Sequence, residues 1–120
     1  MNATELARAI AELASDRKAA DISLLDLRGL ASFTDYFVIC SGRSDRQVRA
    51  IHDAVQQGMK AQHAVTPTRV EGLTRCDWVL MDYGDVIVQI FTPELRDFYR
   101  LEQLWGEAPV EHFEAESAAA

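Results

Sequence analysis

The sequence predicts an α/β domain built on a mixed sheet of about five strands, with helices covering one face. Three observations support this fold class. Helical and strand-like patterns alternate along the chain. Residues 35–40 are apolar almost throughout, as in a central strand that is buried on both faces. Two further apolar runs within residues 76–91 flank a Tyr83-Gly84 turn, which is typical of a β-hairpin.

The individual elements follow from periodicity and from capping residues. Apolar side chains at helical spacing predict two long helices, and Asn2 and Ser44 can cap their first turns. Thr92 followed by Pro93 is typical of a helix start. In chain order, the predicted elements are a helix at 2–18, strands at 21–27 and 35–40, a helix at 45–63, a short strand at 68–72, the hairpin, and one or two short helices before Gly106.

The hairpin has two different faces, because side chains alternate across a strand. If Tyr83 and Gly84 are the two loop residues, Trp78 pairs with Gln89. One face, called the apolar face below, is expected to lie beneath helices and carries Val79, Met81, Val86, Val88 and Ile90. The other, called the mixed face below, carries Trp78, Leu80, Asp82, Asp85, Ile87, Gln89 and Phe91.

The mixed face is too polar for deep burial and too apolar for an ordinary wet surface, so we predict that it binds a partner. Trp78 is the predicted anchor, because tryptophan is favoured at interface hot spots. The other predicted contact residues are Leu80 and Ile87 in the apolar patch, Asp82, Asp85 and Glu71 at its acidic rim, and Tyr99 in the last helices.

Structural alternatives exist for several of these residues. A terminal helix can cover Trp78, and the two aspartates can simply flank a turn. For Tyr99 and Trp105, packing of the last helices onto the sheet is favoured over contact with a partner.

Charge and composition narrow the function classes. The formal net charge of −7 repels phosphate backbones and favours a basic partner, so direct nucleic-acid recognition is not expected. Residues 1–109 are predicted to form one domain, and residues 110–120 an acidic tail that we expect to be disordered.

No cofactor or metal site is expected. The spacing of His52 and His63 matches no common metal motif, and Cys40 and Cys76 are predicted to be buried free thiols of a reducing compartment. The glycine turn at residues 41–42 can hold an anion, but a capping box at Ser44 explains it better because no P-loop lysine is present. No apolar run approaches the ~20 residues of a membrane span, so we expect a cytoplasmic protein.

Long segments of the chain resemble one known family in matching order. They are DYFVICSG at residues 35–42, SDRQVRAI at 44–51, EG at 71–72, WVLMDYGD at 78–85 and RDFYRLEQLW at 96–105. This set resembles the ribosomal silencing factor family, also called the Iojap family, over residues 2–109. Family members often have histidine where this sequence has Gln89, which puts in doubt any role for an imidazole there.

The resemblance implies a non-enzymatic cytoplasmic factor that binds the large ribosomal subunit on ribosomal protein fourteen. It implies that the factor blocks joining of the small subunit and lowers translation when nutrients are scarce. It also implies a core similar to that of nucleotidyltransferases, a chemistry for which the family is not known.

Two other classes stay open from the residues alone. One is a nucleotidyltransferase-like enzyme, which needs neighbouring carboxylates to hold a divalent metal. Asp82 and Asp85 resemble such a pair only loosely, because a turn separates them. The other is a homodimer of the free protein that covers the mixed face with a second copy.

Overall fold

The computed structural model describes residues 1–113 and shows four helices and six strands within that range. Most of the bounds lie within two residues of the predicted ones. In chain order, the elements are α1 (Ala3–Asp16), β1 (Ala20–Asp26), β2 (Tyr36–Ser41), α2 (Asp45–His63), β3 (Arg69–Glu71), β4 (Trp78–Asp82), β5 (Val86–Phe91), α3 (Pro93–Tyr99), α4 (Leu101–Leu104) and β6 (Val110–His112).

The strands form one mixed sheet in the order β3-β4-β5-β2-β1-β6. The central strands β2 and β5 are parallel, and the other neighbouring strands are antiparallel. All residues of β2 and of β5 are buried, as expected for central strands covered on both sides. The predicted α/β fold with a mixed sheet is therefore confirmed.

The sixth strand, β6, was not predicted, because it lies in the segment assigned to the acidic tail. It pairs with the open edge of β1, and two further hydrogen bonds hold its ends. Asp26 N–H donates to the Pro109 carbonyl over 2.9 Å, and Phe113 N–H donates to the Ile22 carbonyl over 2.8 Å. The rest of the predicted tail, residues 114–120, lies outside the described residues.

Local capping explains where the long helices begin. In α1, the Asn2 side chain accepts from Glu5 N–H over 2.8 Å, and the Glu5 carboxylate accepts from Asn2 N–H over 3.1 Å, which confirms the capping box. In α2, Ser44 Oγ accepts from Gln47 N–H over 3.2 Å, but the Gln47 side chain accepts from Arg43 N–H instead of returning to Ser44. The second capping box is therefore only half formed.

The main core lies between the sheet and the two long helices. The five predicted residues of the apolar face are all buried there, together with the apolar stripes of α1 and α2. Helices therefore cover this face, as predicted. Within residues 1–113, no helix combines the length and the apolarity needed to cross a bilayer.

The mixed face has a second, smaller core of its own. Leu95, Leu101 and Trp105 pack from α3 and its continuation against it, yet neither α3 nor α4 contributes a fully buried residue. The face is thus partly covered. The buried members of this core are Leu25, Leu27, Phe37, Ile39, Ile87, Phe91 and Ala108.

The predicted register of the hairpin was wrong by two residues. Trp78 pairs with Phe91 rather than with Gln89, and Gly84 with Asp85 forms the loop. Gly84 has φ +87° and takes the first loop position, where a type II′ turn places glycine. A shift of two residues keeps every side chain on its predicted face, so the division into faces is unaffected.

Candidate interaction surface

The mixed face of β4 and β5 brings three predicted contact residues into one area. Trp78 and Leu80 are half-buried on β4, and Ile87 is buried beside them on β5. Strand β4 is the second strand from one edge of the sheet, with only the three-residue β3 outside it. The surface therefore lies close to a sheet edge, where a partner has access.

An aromatic stack joins this sheet surface to helix α3. The ring of Trp78 stacks on Phe91 with 5.2 Å between centroids, and Tyr99 lies 4.6 Å from Trp78 on α3. Phe98 meets Tyr99 edge-on at 5.0 Å. Exposure rises along the stack, from 1% for Phe91 to 44% for Tyr99 and 76% for Phe98. We call these four residues the aromatic stack.

The stack changes the role expected of two residues. Helix α3 partly covers Trp78, which is the alternative that the sequence left open, so Trp78 is not a freely exposed anchor. Phe98 was not among the predicted contact residues, although it is the most exposed member. The sequence did contain a sign that Phe98 is exposed, since residues 98 and 99 are adjacent aromatics. Neighbouring side chains of a helix point in different directions, so a short helix on a sheet cannot bury both.

Arg96 fastens α3 and α4 to the sheet. Its guanidinium donates to Ser41 Oγ over 3.0 Å and to Glu102 Oε2 over 2.8 Å, and only 14% of the side chain is exposed. A third contact of Arg96 reaches Ser23 Oγ at 3.5 Å. Such charge-assisted bonds are stronger than neutral ones, so they hold Tyr99 over the sheet. Nothing in the local sequence pattern pointed to this contact.

The predicted acidic rim is partly engaged within the protein. Asp82 accepts from Gly84 N–H over 2.8 Å, and its other carboxylate oxygen lies 3.9 Å from Arg69. Glu71 lies 3.5 Å from the same arginine. Asp85 is exposed at the tip of the hairpin. The Asp82 carboxylate thus stabilises the hairpin turn, while Asp85 presents a negative charge that a partner can reach.

Tyr83 is a buried polar group beside the hairpin tip. Its ring packs against the main core, and its hydroxyl is buried without a hydrogen-bond partner among the described residues. Burial raises the pKa of Tyr83 to about 12. It is therefore a neutral structural residue at ordinary pH rather than part of the surface.

The features suggested for nucleotide chemistry are engaged in structural contacts. Gly42 N–H donates to the Phe91 carbonyl over 2.8 Å, and Ser41 accepts from Arg96. Residues 1–113 bring together no group of three or more His, Cys, Asp or Glu side chains that could hold a metal ion.

Both cysteines are buried free thiols, as predicted, and burial raises the pKa of Cys40 to about 12. A thiol with so high a pKa is a poor nucleophile at ordinary pH.

These features define a class of protein, a small α/β domain that presents an aromatic stack with acidic neighbours. Comparison with known proteins gives the family. The family described as "Ribosomal silencing factor during starvation" matches residues 1–120. The ribosomal silencing factor of Bacillus subtilis is 38% identical over 110 residues, which cover 92% of this chain and 92% of the relative. The chain belongs to the ribosomal silencing factor family.

Two further relatives extend the comparison. A crystal structure of a Chromobacterium violaceum protein superposes with a TM-score of 0.84 at 37% identity, covering 88% of each chain. A mouse protein named "Mitochondrial assembly of ribosomal large subunit protein 1" is 33% identical over 98 residues, covering 80% of this chain and 43% of the relative. The Bacillus subtilis relative is named as a silencing factor rather than as an enzyme.

Proposed function

We propose that this protein binds the large ribosomal subunit through ribosomal protein fourteen and sterically blocks its association with the small subunit. It thereby represses translation in the cytoplasm when nutrients are limiting. It acts by occupying a surface, without catalytic turnover. The contact surface is the mixed face with the aromatic stack, extended by the acidic residues Asp85, Asp82 and Glu71.

The observation that carries the proposal is the aromatic stack in a chain of this family. Aromatic residues are enriched at the centres of protein interfaces, and their partly exposed rings offer a large area at low cost in side-chain entropy. Tyr99 and Phe98 are exposed although both are large and apolar. A partner that covers them removes this apolar area from water.

Charge favours a basic protein as the partner over ribosomal RNA. The net charge of −7 is unfavourable next to a phosphate backbone. Asp85 at the hairpin tip and Glu71 on β3 are exposed, and both can meet lysine or arginine at the rim of an apolar contact. The names of the relatives agree with a ribosomal partner, because one refers to ribosomal silencing and another to the ribosomal large subunit.

The test is an association assay with purified subunits. Added to separated subunits before they are mixed, the protein should inhibit formation of complete ribosomes and saturate at stoichiometric amounts over the large subunit. Added to complete ribosomes, it should have much less effect, because the surface is already covered. Tyr99→Ala is the matched loss-of-contact variant. Inhibition at strongly substoichiometric amounts would contradict occupancy and indicate an enzyme.

The free protein offers the same stack to a second copy of itself. We therefore propose that the homodimer, an alternative that the sequence left open, is the state of the free factor. Light scattering over a range of concentrations tests it, with Phe98→Ala as the variant that should shift the equilibrium to monomer. A monomer at every concentration would contradict the proposed homodimer, but it would not contradict the proposal of ribosome binding.

A further inference from the structure

All residues of strand β5 are buried, and Gln89 is the one polar side chain among them. Gln89 is 4% exposed, and a buried amide is unfavourable unless it is hydrogen-bonded. Its Oε1 accepts from the indole Nε1–H of Trp78 over 3.0 Å. A buried or half-buried tryptophan also needs an acceptor for its N–H group. This bond satisfies the indole N–H group of Trp78 and the amide oxygen of Gln89.

The bond between these two residues runs diagonally across the hairpin. The residue directly opposite Gln89 is Leu80, and the residue directly opposite Trp78 is Phe91. The indole thus lies over Phe91 while its N–H group reaches two residues along β5. Stacking on Phe91 fixes the plane of the indole, and the hydrogen bond selects one of the two ring orientations that differ by a half-turn about χ2.

The orientation of Trp78 matters for the outer part of the aromatic stack. Tyr99 lies 4.6 Å from Trp78 with 40° between the two ring planes, and Phe98 meets Tyr99 in turn. A change in the tilt of the indole therefore moves the surface on which Tyr99 rests. Tyr99 therefore contacts an indole whose N–H group is bonded to a buried amide.

We propose that Gln89 is a positioning residue for partner binding: its amide oxygen fixes the orientation of Trp78 and thereby the placement of Tyr99 and Phe98. The inference rests on the proposed function of this surface. The property needed at position 89 is a hydrogen-bond acceptor at the end of a side chain of this length. Leucine and methionine match the size but lack a good acceptor, whereas glutamate and neutral histidine supply one.

The experiment follows the indole N–H signals of Trp78 and Trp105 in the ¹H–¹⁵N spectrum of the free protein. A Trp105→Phe variant identifies which signal belongs to Trp78. Gln89→Leu and Gln89→Met should shift that signal and speed its hydrogen exchange, and should weaken binding to purified large subunits about tenfold, the usual effect of losing a contact worth 1.4 kcal/mol. Gln89→His, at a pH where the ring is neutral, should restore both the signal and the binding.

Each result decides a separate question. An unchanged indole signal in both Gln89→Leu and Gln89→Met would overturn the positioning role, whatever happens at the ribosome. A shifted signal with undiminished binding, in a protein whose Trp78→Ala variant loses binding, would overturn it as well. If the wild-type protein itself does not bind large subunits, the proposed function fails, and the role of Gln89 in binding fails with it. Melting temperatures near that of the wild type show that the variants are folded.

Discussion

The ring of Trp78 on β4 lies 4.6 Å from the ring of Tyr99 on α3, centroid to centroid. A sheet residue and a helix residue therefore form one continuous surface, although they come from separate elements. Helix α3 has no fully buried residue and is held at its polar side by Arg96. The helix thus completes the candidate interaction surface as well as covering part of the sheet.

Tyr99→Ala should weaken binding to large subunits by about 1–3 kcal/mol, because it removes the outer ring over Trp78. The melting temperature should change little, since Tyr99 is 44% exposed. Leu104→Ala is the matched control, because Leu104 is 72% exposed on α4 and is not part of the aromatic stack. Binding is measured by co-sedimentation. Equal losses in the two variants would mean that exposed apolar area, rather than the stack, determines affinity.

Val88→Ala should lower the free energy of unfolding by about 1–3 kcal/mol through lost burial and a cavity in the main core. Val88 is fully buried on the apolar face, so the folded variant should bind subunits like the wild type. Denaturant unfolding and co-sedimentation provide the two measurements.

Trp78→Ala, on the mixed face, should show the opposite balance to Val88→Ala, with the larger effect on binding. Some loss of stability is also expected, because Trp78 stacks on the buried Phe91. If Val88→Ala impaired binding and Trp78→Ala only stability, the assignment of the two faces would be reversed.

The sequence predicted the faces of the hairpin but not its register, for a physical reason. Which face a side chain occupies depends on whether its position is odd or even, and this parity survives a shift of two residues. The register depends on which residues form the loop, and Gly84 suits either of the two loop positions. In the observed loop Gly84 takes the first position, where its N–H group donates to the Asp82 side chain, a contact that depends on the folded turn.

The aromatic stack and β6 could not be predicted because they depend on tertiary contacts. Tyr99 reaches Trp78 because α3 folds back onto the sheet, where Arg96 bonds to Ser41 on β2. Strand β6 has three exposed residues, which carry no periodic signal, and it forms because β1 offers a free edge. Local patterns of the chain show neither the docking of α3 on the sheet nor the pairing of β6 with β1.

Asp85→Lys should slow association with large subunits and make the rate less sensitive to salt, because an exposed negative charge at the rim is replaced by a positive one. Rates are measured by stopped-flow mixing at several ionic strengths. Glu12→Lys on α1 is the matched control, since it makes the same change in net charge on an exposed residue of another element. The same slowing in both variants would show that net charge matters and that the rim does not.

Asp82→Lys should slow association in the same way and also cost stability. Its carboxylate accepts from Gly84 N–H in the turn, so its loss should lower the free energy of unfolding by about 0.5–1.5 kcal/mol. Denaturant unfolding of the two aspartate variants checks this difference. Equal stabilities would mean that the bond to Gly84 contributes nothing to the hairpin.

Tyr83→Phe should stabilise the protein by about 1 kcal/mol at neutral pH, because it removes a buried hydroxyl that has no partner among the described residues.

The same variant should also change how the stability of the protein depends on pH in the alkaline range. Burial raises the pKa of Tyr83 from 10.0 to about 12, so this residue's contribution to stability is complete below the lower value and is lost as the pH rises towards the higher one. Urea unfolding across this alkaline range should therefore show a shallower decline in Tyr83→Phe than in the wild type. Tyr99→Phe controls for an exposed phenol, and an equal change there would assign the effect to tyrosine ionisation in general.

Gly72→Ala should destabilise the protein far more than Gly29→Ala, although both glycines have a positive φ, of 95° and 83°. A Cβ at Gly72 would lie 2.0 Å from the carbonyl oxygen of Trp78, whereas a Cβ at Gly29 would have no atom within 4 Å. The conformational penalty of about 1–2 kcal/mol is common to both variants, so the difference between them isolates the clash. We expect Gly72→Ala to cost at least about 2 kcal/mol more in denaturant unfolding, and to shift the indole signal of Trp78 because the backbone must move there. Equal costs, with an unmoved indole signal, would show that the chain around Gly72 accommodates the added Cβ without disturbing Trp78, and that Gly72 does not help to place the aromatic stack.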